Sequence, residues 1–286
     1  MKSHMKKITI LLCVILLSGC SAKFAYNNAS WLIYWYLDDY VELNNQQEEQ
    51  FDQVFSNWFD WHRRIELPKY QAHFGELLSD IKTKKIDEAR IFYHREKSRD
   101  HWERVRTHIA PDIVAIGKTL NEKQVTYLLA KLEEENIEAE EENIEDRGLT
   151  PAQQNKKWIK RNQKGAKKWI GKLNNEQKSH IAQFRDRFEK TGDYWLIYKR
   201  AYQQALGDLF AAPDRSNEFE DKLLALILYP ETFRSEDFLL VSDANSKASA
   251  EYLIGIMDLA DKKQMNRLIN EISELRQDII SLSKKN

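Results

Sequence analysis

Apolar positions along this chain recur at three- and four-residue steps almost throughout. Phe51, Val54, Phe55, Trp58, His62 and Ile65 fall on one face of a helix that Pro68 stops or kinks. Ile91, Trp102, Val105, Ile109, Ile113 and Ile116 make a second stripe, interrupted by Pro111. Ile181, Phe184, Phe188, Trp195, Tyr198, Tyr202 and Leu209 predict one long helix ending before Pro213. Leu223 to Leu228 reads as a short buried helix closed by Pro230. Met265, Leu268, Ile272, Leu275, Ile279 and Leu282 alternate three and four, a seam suited to lying along another helix. No period-2 run suggests a strand.

A local signal recurs at helix starts. Leu43-Asn44-Asn45-Gln46-Gln47, Leu120-Asn121-Glu122-Lys123-Gln124, Leu149-Thr150-Pro151-Ala152-Gln153 and Leu173-Asn174-Asn175-Glu176-Gln177 all read Leu-[Asn/Thr]-x-x-Gln. Asp261-Lys262-Lys263-Gln264 repeats it without the leucine. In each, the Asn, Thr or Asp oxygen is placed to accept from the free amides of the first turn, and the Gln three residues on reaches back to the cap amide. Pro151 occupies the first helical position, where a missing N–H costs nothing. The pattern resembles the LTxxQ motif of small helical periplasmic proteins, a group that includes chaperones and stress-sensing accessory proteins; only 149–153 matches it letter for letter.

Composition agrees with helices: 9 Gly and 5 Pro in 286 residues, against 8 Trp, 12 Tyr and 12 Phe that supply apolar area for packing. The predicted class is all-α, an elongated multi-helix body with a long charged hairpin at about 121–172. Its first arm carries Glu133, Glu134, Glu135, Glu138, Glu140, Glu141, Glu142, Glu145 and Asp146, a stretch with no base. Its second carries Lys156, Lys157, Lys160, Arg161, Lys164, Lys167, Lys168 and Lys172 with no acid. Two arms of opposite sign are expected to face and neutralise one another. Their alternative use is a partner surface on the basic arm, built from Lys157, Lys160, Arg161, Lys164 and Lys168 with Trp158 and Trp169 interleaved, for an anionic lipid or an acidic envelope protein.

The first twenty residues bear on location. Lys2, Lys6 and Lys7 precede an apolar run from Ile8 to Leu17, then Ser18-Gly19-Cys20. This is the layout of an export signal, too short for a permanent span. Leu17-Ser18-Gly19-Cys20 resembles the lipobox of bacterial lipoproteins, which implies cleavage before Cys20 and its acylation, palmitate included. The expected division is therefore a signal peptide at 1–19 and a single all-helical periplasmic domain at 20–286. Ser21 is not the aspartate that resembles an inner-membrane retention signal, so the expected location is the outer membrane, lipid-anchored and facing the periplasm. Of 44 bases three leave with the signal, leaving 41 against 45 acids, a net charge of −4 that argues against a nucleic-acid partner. Cys13 leaves with the signal and Cys20 is acylated, so no thiol remains for a disulfide or a metal.

Tyr26-Asn27, Trp31, Trp35, Asp38-Asp39-Tyr40, Leu43 and Gln46, followed by Trp61-His62-Arg63, Glu66-Leu67-Pro68 and Tyr70, resemble an uncharacterised family of Gram-negative lipoproteins, domain of unknown function 6279. The resemblance implies a lipobox, an aromatic N-terminal block and a helical body, and no activity. The block Trp31 to Leu37 is expected to pack into the core, with the membrane headgroup layer as its alternative.

Candidate chemistry is sparse. His94, His101 and His108 repeat every seven residues, about 10.5 Å apart along a helix and too far for one ion without His62 or His73 from elsewhere. No metal site and no cofactor are expected. His62 and Glu66 stand at i and i+4, the one acid–base pair that an enzyme of envelope material would use here. No familiar catalytic or nucleotide-binding motif is present. The expected role is a non-enzymatic binding or chaperone-like module; the alternative is an enzyme whose site no motif reveals.

Overall fold

All five predicted capping boxes form in the computed structural model, which describes residues 20–284 apart from Pro213, with side chains from residue 23. The signal assigned to 1–19 lies outside the described residues. Asn44, Asn121, Thr150, Asn174 and Asp261 each accept from the backbone amide three residues on, and the Gln there accepts from the cap amide. The helices run α1 Cys20–Asn27, α2 Ala29–Leu37, α3 Asn45–Trp61, α4 Leu67–Lys82, α5 Glu88–Gly117, α6 Glu122–Gly148, α7 Pro151–Ile170, α8 Asn175–Gln183, α9 Gly192–Ala211, α10 Asn217–Leu228, α11 Glu236–Asp258 and α12 Lys262–Ser283. No strand occurs among the described residues.

Apolar faces decide the packing. The α12 seam lies along α4, where Met265, Leu268, Ile269 and Ile272 meet Phe74, Leu77, Leu78 and Ile81. Val125, Leu129 and Leu132 of α6 pack with Leu206, Leu209 and Phe210 of α9 and with Phe219 and Leu223 of α10. Trp158, Ile159, Ala166 and Ile170 of α7 pack with Ile181, Phe188, Tyr252, Ile256 and Leu268. The body is thus a multi-helix assembly around three apolar clusters.

Pro68 kinks rather than stops its helix. It has no N–H to give the i−4 ladder. The backbone takes up the difference in a π turn at His62–Glu66, where the Leu67 amide bonds the His62 carbonyl. That turn leaves Glu66 fully buried, at 0% exposure.

Four expectations need correction. The helix predicted over 181–209 is two helices. Phe184–Arg187 tightens to a 3₁₀ turn, Phe188 is extended, and Asn245 on α11 bonds both the amide and the carbonyl of Glu189. Trp102 is 59% exposed and leaves the α5 stripe, which His94 joins as a buried residue. The aromatic block is not core, because no residue of α2 is buried. The charged arms form as helices joined at Leu149–Thr150, but they do not face each other: α6 runs along α9 and α7 along α12 and α8. Among the described residues only Lys157 pairs with an acid of the opposite arm, Asp146 at the turn. The physical reason is the order of magnitudes. Each buried apolar side chain contributes about 1.5–3 kcal/mol, each exposed ion pair about 0.2–1. The apolar faces of α6 and α7 point to different neighbours, and they win.

Candidate functional site

Helix α5 carries His94, His101 and His108, and α4 packs beside it. That packing inserts His73 between the first two. His73 Nε2 lies 3.1 Å from His94 Nδ1, and His73 Nδ1 lies 3.2 Å from His101 Nε2. His94 Nε2 in turn stands 3.0 Å from Asp80 Oδ2, and the Arg104 guanidinium bonds His101 Nδ1. One assignment satisfies every atom: each imidazole is neutral and protonated on Nε2. The direction of donation then runs Arg104, His101, His73, His94, Asp80, the tautomers following from the bonding pattern.

Both ends of this row are clamped. Asp80 accepts from Arg90 Nε at 2.9 Å and from its Nη2, and Arg90 also bonds Glu76, which accepts from Tyr93. Burial alone would raise the Asp80 carboxyl; its bonds to Arg90 and His94 outweigh that and hold it below its usual range. Arg104 is gripped by Glu66, at 2.8 Å through Nε and 3.1 Å through Nη2, and Lys69 bonds the same carboxylate at 2.7 Å. Burial opposes the Glu66 charge too, and again the two cations keep its pKa low. In the middle, burial and the two flanking imidazoles push His73 down to about 4. His101 is lowered by burial and by Arg104.

The row continues through aromatics. Tyr70 sets its ring edge-on to His101 at 4.4 Å, and its hydroxyl lies 3.4 Å from His62 Nε2. Tyr26 bonds His62 Nδ1 at 2.9 Å, which ties α1 to the π turn. Burial lowers the pKa of His62. His62 and Glu66, paired by sequence spacing, share no hydrogen bond; each is engaged elsewhere. His108 stands apart, exposed and stacked on Trp61 at 3.8 Å. His73 spends its two ring nitrogens on two different histidines, so the three rings form a line and not a ligand set. Among the described residues no three metal-ligating side chains converge on one point. Chemically the row is a polar seam that holds α4 to α5. The open groove nearby, lined by Trp61, Ile65, Lys69, Arg104 and His108, reaches the clamp but not the imidazoles.

The predicted partner surface lies on α7. Lys157 pairs with Asp146 at 2.5 Å, and Trp158 packs on Phe188 with ring centroids 5.3 Å apart. Lys160, Arg161, Lys164 and Lys168 are exposed and form no ion pair among the described residues. Lys168 lies 5.9 Å from the Trp169 ring. The acids once expected opposite them are used elsewhere: Glu133 and Glu140 hold Arg200, and Glu135 accepts from Tyr40. Arg161 also lines a cleft of about 420 Å³ of mixed charge, with Arg147, Arg185 and Lys190 beside Asp146, Glu189 and Asp193, of which Asp193 pairs with Arg147. Cys20, the expected lipidation site, opens α1.

The model of a family of unknown function, DUF6279, matches residues 39–239. No curated relative and no solved structure matches the chain.

Proposed function

We propose that this chain, which belongs to the DUF6279 family of unknown function, is a lipid-anchored envelope protein that acts by binding, with the basic face of α7 as its docking surface for an acidic protein partner. The observation that carries the reading is the unpaired row Lys160, Arg161, Lys164 and Lys168 beside the exposed Trp169. A helix face of one sign with an aromatic at its rim and no ion pair among the described residues is suited to a complementary surface. The anchor is Cys20, and the protein faces the periplasm from the outer membrane.

Geometry favours a protein partner over the bilayer that holds the anchor. Lys23 of α1 pairs with Asp278, while Arg267 donates to the Lys168 carbonyl. Those two attachment points are eleven residues apart on α12, about 16 Å along its axis. The end of the basic face therefore stands well away from Cys20. The enzymatic alternative through His62 and Glu66 gains nothing, since Glu66 is buried and saturated by Arg104 and Lys69.

The test has two arms. Cys20→Ala should abolish fatty-acid labelling and release the chain from membranes; unchanged labelling sinks the anchor. Crosslinking of the intact lipoprotein in membranes should capture a partner that the Lys160→Glu/Arg161→Glu/Lys164→Glu/Lys168→Glu variant loses. Equal capture by both proteins sinks the docking surface.

A further inference from the structure

The N-terminal helices present a face that the other described residues leave uncovered. From Phe24 to Leu37 the chain carries no charged residue. Within that stretch the side chains divide. Tyr26 turns inward to His62 and packs on Phe59 at 4.5 Å, and Tyr34 bonds Asp52 at 2.8 Å and meets Phe51 edge-on. Phe24, Trp31 and Tyr36 are instead 58%, 64% and 54% exposed, with Tyr36 donating to the Tyr40 hydroxyl at 3.1 Å. Trp35 stacks on Trp31 with centroids 6.5 Å apart, so the outer surface is an aromatic plate. Lys23, just before this stretch, reaches to Asp278 on α12.

We infer that this plate lies in the headgroup layer of a phospholipid bilayer, with α1 and α2 flat along the membrane plane. The inference rests on the lipid-anchor reading and adds to it an orientation. The helix that carries Phe24 opens at Cys20, the residue that would carry the acyl chains, only four residues earlier. Trp and Tyr are the residues favoured at that depth, where one side of the ring is apolar and the other wet. The plate has no charge to desolvate, and Asp38 and Asp39 follow it only at the end of α2.

Length fixes the orientation. Trp31 is eleven residues past Cys20, about 16 Å along a helix. A headgroup layer is only about 5–8 Å deep. Helices standing upright on the anchor would lift Trp31 out of it; helices lying flat keep Phe24 and the stacked Trp31 and Trp35 within it. The plate then makes a second, non-covalent membrane contact beside the acyl chains.

The experiment uses the acylated full chain in vesicles of phosphatidylethanolamine and phosphatidylglycerol containing phospholipid brominated near the headgroup. Flotation and fatty-acid labelling report the anchor; tryptophan quenching reports the plate. The wild-type emission should be quenched, and Trp31→Phe/Trp35→Phe should lose most of that quenching, since these are two of the eight tryptophans and the others sit on the body. In the unacylated Cys20→Ala chain, Trp31→Glu/Trp35→Glu should reduce the residual binding to the same vesicles several-fold. A labelled, floating protein whose quenching is unchanged by the Phe pair overturns the inference and leaves the anchor standing. So does an efficient crosslink between two copies through Tyr36→Cys without quenching, which would make the plate a self-association surface. A chain neither labelled nor floating overturns the anchor itself.

Discussion

Gln47 and Gln124 exchange hydrogen bonds side chain to side chain although 77 residues separate them. Gln124 Nε2 donates to Gln47 Oε1 at 2.7 Å, and Gln47 Nε2 returns the bond at 3.3 Å. Each also accepts from its own cap amide and donates to the carbonyl two residues before the other's cap, Thr119 for Gln47 and Glu42 for Gln124. The start of α3 and the start of α6 are thereby locked together by two amides with their bonding capacity met. The same arrangement recurs at α8 and α12, where Gln177 and Gln264 exchange bonds at 3.0 Å and Gln264 donates to the Lys172 carbonyl. A capping box normally ends one helix's unmet amides. Here two boxes are used as a joint between helices.

This joint predicts an asymmetry among glutamines of identical local pattern. Gln47→Ala takes a partner from the buried Gln124 side chain and also removes the bonds to the Asn44 amide and the Thr119 carbonyl, and should cost about 2–3 kcal/mol. Gln153→Ala removes a capping box that is exposed and unpaired, and should cost about 0.5–1 kcal/mol. Urea denaturation of the two variants measures the difference. Equal losses would mean that the side-chain exchange adds nothing to the caps.

How much of this was legible depended on range. Asn44-x-x-Gln47 is a contact across one helical turn, so residue order alone reveals it. That Gln47 finds Gln124 depends on which helix starts abut, and no local rule carries that. The histidine row was half visible: the seven-residue spacing put His94 and His101 on one face of α5, but His73 joins them only because α4 packs there. The charge blocks at 133–146 and 156–172 were plain, and the arms they suggested do not meet, since Coulomb attraction between exposed residues names no partner. The apolar positions Leu129 and Leu132 on one arm, Ile159 and Ile170 on the other, were equally plain and would have pointed each helix to its own cluster.

His73 makes the fold sensitive to acid. Burial and its neighbours His101 and His94 set its folded pKa at about 4, below the ~6.5 of an exposed imidazole. Between those values the unfolded chain binds a proton that the folded one refuses. Stability is therefore complete above about pH 6.5 and falls as the pH drops towards 4, by on the order of 3 kcal/mol. Asp80 and Glu66, both held low by their cations, add losses of the same sign further into acid. His73→Gln should be less stable than wild type at pH 7, with the gap narrowing towards pH 4. Denaturation midpoints across that range test it, and a gap that stays constant with pH would remove His73 as the titrating group.

Gly255 on α11 marks a contact no other residue would allow. The His180 ring of α8 lies against it, held by a 3.1 Å bond to the Tyr252 carbonyl, so a Cβ at 255 would fall inside the imidazole. Gly255→Ala should force α8 outward and cost about 1–3 kcal/mol. Removing the ring makes the room: in Gly255→Ala/His180→Ala the combined loss should be smaller than the sum of the single losses. A double-mutant cycle reads this directly, and strict additivity would show that the two positions are not in contact.

The last prediction separates cations that hold the fold from cations left over. Arg200 on α9 bridges Glu133 and Glu140, acids two turns apart on one face of α6, at 3.2 and 2.9 Å. Arg200→Glu puts a third negative charge between two others on helices already packed together, so hydrogen exchange should quicken along 130–142 and 196–206 while the α4–α12 seam keeps its protection. The reversal should hurt less in high salt, because these groups are solvent-exposed and screened. Lys160, Arg161, Lys164 and Lys168 have no ion pair to lose, and their apolar neighbours Ile159, Ala166 and Ile170 remain seated on Ile181 and Ile256. Reversing all four to Glu should therefore leave α7 protected and the unfolding midpoint unchanged. If α7 instead opened faster than α6 in Arg200→Glu, the basic arm would be contributing to the fold through a counter-charge after all, and its freedom to bind an acidic partner would go with it.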